Sequence, residues 1–265
     1  MAVFVGAGRI IGGSPLTKME TSEIISDKQE YIYYSAGAEG CNPVKKTLNM
    51  QYNRLEENMK VLLVNGSPHK EGCTYTALKE IAGELEKQGI GSEIMWLGVD
   101  AIAGCIGCGA CAKTGNGCFR KDIVNQFVEK AGDFDGFVFG TPVHYAAGSG
   151  AITSFMDRAF YSGGSRMAGK PAAAVVSCRR GGASATFDQI NKYFTINCMP
   201  VVSSQYWNQV HGGNAEEVVK DEEGMQTMRT LGNNMAWLLK CIEAGKEKGI
   251  NFPEREPVIR TNYIR

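Results

Sequence analysis

The feature that most constrains the fold is the run KVLLVNG at residues 60–66, which is followed at once by turn-forming residues and then by an amphipathic helical pattern. Four apolar residues in unbroken succession suit a strand buried on both faces, the habit of a parallel sheet rather than of a half-solvated antiparallel one. From about Thr74 the positions Ala77, Leu78, Ile81, Ala82 and Leu85 fall on one helical stripe. The alternation then repeats. Glu93 to Leu97 reads as a strand, Ile123, Val124, Phe127 and Val128 mark a short helix, and Gly136 to Gly140 a further buried strand. A helix is expected from Ala151 to Ala159, a strand from Ala172 to Ser177, a helix around Ala183 to Phe194 and a last strand at Val201 to Ser204. Strands alternating with helices predict an α/β fold, a doubly wound parallel five-stranded sheet with helices on both faces.

The flanks read differently. Near the end, Met225, Met228, Leu231, Met235, Leu238 and Ile242 recur at three or four residues, a long helix that Gly224 and Gly232 are expected to interrupt. Its methionines read as core or interface residues. Residues 1–59 lack the alternation, are rich in Gly, Ser and Thr, and carry Tyr31, Tyr33 and Tyr34. The expected organisation is an N-terminal extension (1–59) serving as an arm or active-site cover, a sheet domain (60–210), and a C-terminal helix and tail (211–265) used for packing or oligomerisation.

Charge and cysteine content narrow the partners. Lys plus Arg and Asp plus Glu both number 28, so no overall charge favours nucleic acid or an anionic membrane. No run approaches the ~18 apolar residues of a membrane span, and the start carries no basic leader. Nine cysteines suit a reducing compartment. A cytoplasmic chain is expected.

Three loops then stand out, each following a predicted strand. In a doubly wound sheet ligands settle at the carboxyl ends of the strands, where the connections diverge. The loop after the first strand, Asn65 to Tyr75, offers Ser67, Thr74 and Tyr75 as donors at the start of a helix, where free N–H groups and the dipole favour a phosphate. It matches neither the P-loop nor the GxGxxG pattern, and an ordinary turn and cap would use the same residues. A second loop, Thr141, Pro142, Val143, His144 and Tyr145, provides backbone amides and ring surfaces for a flat heterocycle. A third, Cys178 to Gly182, follows another strand.

In combination, the phosphate loop, the TPVHY segment with SFMDR downstream, and Gly181-Gly182 resemble the flavodoxin-like NAD(P)H-dependent FMN reductases, including their iron–sulfur flavoprotein branch. The resemblance covers roughly residues 60–207. It implies a flavodoxin-like fold, non-covalent FMN, and a homodimer or homotetramer. Ser67, Pro68, Cys73, Thr74 and Tyr75 match the phosphate-loop positions, with Cys73 where a small polar residue is usual. Thr141, Pro142, Val143, His144 and Tyr145 match the segment beside the ring and ribityl chain, and Cys178, Gly181 and Gly182 the loop on its other side. The implied activity is hydride transfer from NAD(P)H to FMN and onward to a small-molecule acceptor, with the protein fixing the ring and the flavin performing the chemistry. His144 is expected to pack or hydrogen-bond against the flavin, Arg179 and Arg180 to meet a nicotinamide phosphate or solvent, and Asp157 and Arg158 to support helix and interface packing.

Four cysteines within CIGCGACAKTGNGC complete the pattern. The CxxCxxC spacing of Cys105, Cys108 and Cys111 allows one loop to aim three thiolates at a common centre, and Cys118 supplies a fourth. A [4Fe–4S] cluster, unliganded thiols and zinc all remain open on spacing alone. The iron–sulfur flavoproteins carry a compact cysteine motif in the same connection, with a slightly shorter final gap. A cluster would make the chain a carrier of electrons between protein partners such as ferredoxin. A third reading is a non-catalytic flavin-binding regulatory or structural protein.

Overall fold

The computed structural model describes residues 59–115 and 117–264. The expected arm or cover at residues 1–59 therefore lies, apart from Met59, outside the described residues, as do the three tyrosines and Cys41.

The first apolar run forms strand β1 (Lys60–Asn65), followed by helix α1 (Cys73–Lys87) and β2 (Gly91–Trp96). A long connection carries the short helix α2 (Ala110–Thr114) into α3 (Ile123–Lys130) and β3 (Gly136–His144). A two-residue strand, β4 (Ala147–Gly148), precedes α4 (Gly150–Gly163), β5 (Ala172–Cys178) and α5 (Ala183–Ile196). The order ends with β6 (Gln209–His211), α6 (Ala215–Val218) and α7 (Glu222–Glu247). The main sheet runs β2-β1-β3-β5-β6 with every neighbouring pair parallel, and β4 folds back antiparallel on the end of β3. This is the five-stranded flavodoxin-like order expected from sequence, with its switch point between β1 and β3.

Why the strands are continuously apolar follows from what covers them. Leu62 and Val64 of β1, Phe137 and Phe139 of β3, and Ala172 and Ala174 of β5 face α3, α4 and α5. The intervening residues Val61, Leu63, Val138, Ala173 and Val175 face α1 and α7. On the first face Phe127 packs edge-on against Phe155 at 5.1 Å, and Phe139 lies 5.4 Å from Phe194. The alanines of β5 leave room for those rings, and each buried phenylalanine contributes about 2 kcal/mol of transfer free energy.

Two expectations shift. The last strand is Gln209–His211 rather than Val201–Ser204. Val202 N–H does reach Ala172 O at 2.8 Å, but the chain then leaves the sheet, because Ser204 Oγ donates to Tyr206 O and Asn234 Nδ2 donates to Ser203 O, closing a polar turn before Asn208 rejoins β5. The second concerns the glycines of α7, which interrupt nothing. A Cβ at Gly232 would stand 2.8 Å from Glu84 Cβ and 3.1 Å from Ile81 O, so the bare backbone is what lets α7 lie directly on α1.

Candidate functional site

Three loops meet at the carboxyl edge of the sheet. At the end of β1 the Asn65 side chain shapes the first of them: Oδ1 accepts from Ser67 N–H and Nδ2 donates to Lys70 O, both at 3.0 Å. Ser67 is buried, and its Oγ accepts from His69 N–H at 3.1 Å, which leaves the hydroxyl proton to be donated elsewhere. Pro68 is exposed on the loop. Helix α1 then starts with Gly72 at its cap position, with no side chain capping it and no acidic residue in its first turn. No side chain of the helix's own first turn therefore occupies its free N–H groups.

Thr74 and Cys73 divide at that helix start. The buried Thr74 Oγ1 pairs with Ser177 Oγ of β5 at 2.8 Å, so β5 steadies the hydroxyl while one of the two protons stays available. The Cys73 thiol turns away, donating to Gly212 O at 3.6 Å. Burial pushes this thiol up, and Glu217 and Glu216 push the same way. Only its backbone can serve the loop. Tyr75 is half-buried beside it.

The second loop is a hairpin. Val143 pairs with Gly148 and His144 with Ala147, and the connecting Tyr145 and Ala146 both have left-handed φ, 50° and 62°. Two successive positive φ values make a type I′ turn, which is normally built from Asn and Gly. Here it displays Tyr145 wholly to solvent with His144 exposed beside it. Thr141 is buried and works inward: Oγ1 donates to Pro142 O and accepts from Ser149 N–H at 3.1 Å. Ser149 in turn caps α4 and donates Oγ to Gly66 O at 2.9 Å, locking the second loop to the first.

The third loop fits against the second through a missing side chain. Gly182 has φ +91°, and a Cβ there would lie 2.7 Å from Ala146 Cα. Gly181 and the two arginines before it are exposed. Cys178 is buried with its sulfur 3.4 Å from His211 Nδ1, and burial pushes that thiol up. Its side chain thus faces the β6 side, and only the loop it begins lies at the edge. The structure brings together the three loops that hold the thirteen expected flavin residues, with Cys73, Thr141 and Cys178 acting through backbone or inward contacts. An uncapped helix start with two hydroxyls, an exposed hairpin ledge and a glycine cradle opposite fit a phosphorylated flat ring such as FMN.

The cysteine connection opens on the same edge. It leaves the end of β2, where Trp96 Nε1 donates to Ser67 O at 2.8 Å. Among the described residues no three His, Cys, Asp or Glu side chains are gathered around one point. Cys105 and Cys108 are exposed, while Cys111 and Cys118 lie against α4, the first donating to Tyr161 O at 3.6 Å and the second accepting from Arg158 Nε at 3.3 Å. Gly107, Gly109, Gly115 and Gly117 all have left-handed φ between 65° and 76°, the turns that redirecting four thiols requires. In kind and number the donors fit a four-thiolate site.

Arg158 supports the packing of α4 through its charge. It is 2% exposed and sits among the apolar residues of α4, held by the bidentate carboxylate of Asp122 at 2.6 and 2.9 Å. Burial disfavours its charge, but Asp122 and Cys118 more than restore it. Sequence reading also missed Asn65, Ser149, Ser177 and Trp96. Asn65 had a signal, an Asn at a strand end before Gly. Arg158 had one too, a cation on the stripe shared with Phe155 and Ala159.

The comparisons agree with this geometry. The model of the family described as NADPH-dependent FMN reductase matches residues 59–213, from the start of β1 to the end of the sheet. An iron–sulfur flavoprotein of Methanocaldococcus jannaschii is 30% identical over 195 residues, 70% of this chain and 100% of the relative. One from Archaeoglobus fulgidus is 36% identical over 202 residues, 71% of this chain and 98% of the relative. Among solved structures, RosB with its bound 8-demethyl-8-formylriboflavin-5′-phosphate superposes with a TM-score of 0.54 at 15% identity, covering 78% of this chain and 92% of that one, a likeness of fold. With more than half its length under the family model, the chain belongs to the NADPH-dependent FMN reductase family.

Proposed function

We propose that this chain binds FMN and works as an iron–sulfur flavoprotein, exchanging electrons with a protein partner of ferredoxin type. The observation that carries the reading is that the four-cysteine connection leaves the sheet at the same edge as the three flavin-fitting loops, tied to the first of them by the Trp96–Ser67 hydrogen bond. Similarity to iron–sulfur flavoproteins along their whole length supports it.

Ser67, Thr74 and the first turn of α1 would receive the phosphate. Pro142, Val143, His144 and Tyr145 would flank the ring on one side, with Gly181 and Gly182 on the other. Bound there, the flavin supplies one- and two-electron chemistry. The protein's part is to fix and orient it: Asn65, Ser149 and Thr141 hold two loops in register, and Gly182 lets the third close against them. Backbone N–H groups along the edge would stabilise negative charge on a reduced ring. Cys105, Cys108, Cys111 and Cys118 would hold a [4Fe–4S] cluster and so provide a single-electron route to the partner.

A second reading has its own support. The family description names NADPH, and Arg179 and Arg180 stand exposed beside the Gly181-Gly182 loop, where a nicotinamide phosphate would meet them. On that reading the chain is an NAD(P)H-dependent enzyme with a small-molecule acceptor. No described helix is long and apolar enough to cross a membrane, and a cytoplasmic homodimer or homotetramer is part of the proposal.

The test is anaerobic purification with flavin, iron and acid-labile sulfide measured on one sample. One FMN with about four iron and four sulfide per chain is the expected result. The sample is then offered NADH, NADPH and reduced ferredoxin separately. Rapid flavin bleaching by ferredoxin alone supports the carrier, whereas bleaching by a nicotinamide without iron in the sample overturns it in favour of the reductase. A chain without flavin sinks both.

A further inference from the structure

The guanidinium of Arg158 uses all five of its N–H groups, and every acceptor lies at the ends of the cysteine segment. Nη1 donates to Ala103 O at 3.3 Å, two residues before Cys105. Nε donates to Cys118 Sγ at 3.3 Å, Nη2 to Arg120 O at 3.1 Å, and the remaining two N–H groups grip Asp122. Asp122 is itself pinned, because its Oδ1 caps α3 by accepting from Val124 N–H at 3.1 Å. Between these ends the described residues form only the short helix α2, and Cys105 and Cys108 are exposed.

A buried guanidinium is costly unless its charge and donors are all satisfied, and here each is satisfied by a group flanking the thiols. A lysine has three donors in a compact head and reproduces neither the fork on Asp122 nor the reach to both ends. We propose that Arg158 is the positioning residue of the cysteine segment: it closes the segment's two ends onto α4 and aims an N–H at the Cys118 sulfur, adding to the bonds that Cys111 makes to Tyr161 O and Asn125 to Cys118 O, so that the four thiols share a fixed base. The part concerning a ligated Cys118 rests on the proposed cluster; the closing of the loop does not. Hydrogen bonds to ligating sulfurs raise a cluster's potential by stabilising its reduced, more negative form.

Full-length wild type, Arg158→Lys and, in case that variant does not fold, Asp122→Asn are purified anaerobically. Amide exchange is followed by mass spectrometry before and after iron is removed with a chelator. Either variant should speed exchange across residues 103–122 by roughly tenfold in the iron-free chain, with β1 and α1 unchanged. Exchange equal to wild type, or raised equally over the whole chain, overturns the proposal. In the iron-loaded samples Arg158→Lys should shift the iron–sulfur midpoint potential to more negative values, and an unshifted potential with intact iron content refutes the hydrogen bond to the ligand. A wild type that holds no iron refutes the cluster reading, and the exchange experiment alone then decides whether Arg158 closes the loop.

Discussion

Replacing Gly182 with alanine tests whether the three edge loops form one fitted unit. At φ +91° a residue with a Cβ is strained by about 1 kcal/mol before any contact is counted. The new methyl would then stand 2.7 Å from Ala146 Cα and 2.8 Å from Val143 Cγ1. Carbon atoms pack at roughly 3.5–4 Å, so the overlap approaches an ångström and falls on backbone that no rotamer change can move. Overpacking of this kind costs about 1–3 kcal/mol. The sum, roughly 2–4 kcal/mol, is a large fraction of the ~5–15 kcal/mol that stabilises a domain. The only relief is outward movement of the Tyr145-Ala146 turn, which would carry the flavin ledge away from the cradle. The urea midpoint should therefore fall at unchanged m-value, and FMN should bind at least tenfold more weakly, about 1.4 kcal/mol. Gly181→Ala is the internal control for stability, since an added Cβ there meets nothing of the protein within 4 Å. If the two alanine variants matched each other in urea midpoint, the loops would not be fitted as described.

The Ala146→Gly substitution relieves a left-handed residue at φ 62° and should raise the thermal midpoint by the equivalent of about 0.5–1 kcal/mol; a fall in the midpoint would contradict the turn geometry. Tyr193 donates its hydroxyl to Asp157, and burial first, with the carboxylate second, pushes its phenol well above the usual range. Because the folded pKa is raised, this stabilisation is fully present below the ordinary phenol value of about 10 and is lost as pH rises beyond it. Wild type should lose stability above that point through this group. Tyr193→Phe should start about 1 kcal/mol lower at neutral pH and show a shallower alkaline decline, so parallel curves would refute the assignment.

Strand and helix positions and the three edge loops were legible because each has a local signature: unbroken apolar runs for parallel strands, a 3.6-residue stripe for their covering helices, and Gly, Ser, Thr and Pro where chains turn; the order of the strands came only with the family resemblance. The end of the sheet was not. Val201 and Val202 have strand-like residues, but the turn at Ser203–Asn208 is held by Asn234 and by Thr227, which accepts from Gln205 Nε2, and both lie on α7, more than twenty residues downstream. Nor could composition show that Cys73 and Cys178 turn away from the loops they sit in. Cys73 answers to Gly212 and Cys178 to His211, partners that only the closure of β6 beside β5 supplies. Glycine was legible as a turn and illegible as a contact, since Gly232 and Gly182 are explained by the atoms opposite them.

Helix α4 is where the two halves of the proposed chemistry become one structure. Its cap, Ser149, is bonded to the ends of both the β1 and β3 connections, while Arg158, nine residues on, grips the cysteine segment. At 1.5 Å per residue the two anchor points are separated by about 13 Å along a single rigid element. A helix bonded at its start to the flavin-fitting loops and further along to the cysteine segment fixes their spacing, alongside the Trp96–Ser67 hydrogen bond. That fixed spacing would serve the proposed single-electron route between flavin and thiols. It also explains why the cysteines occupy the connection after β2: in the order β2-β1-β3-β5-β6 that connection crosses the end of β1 to reach α3, the path that brings it past α4.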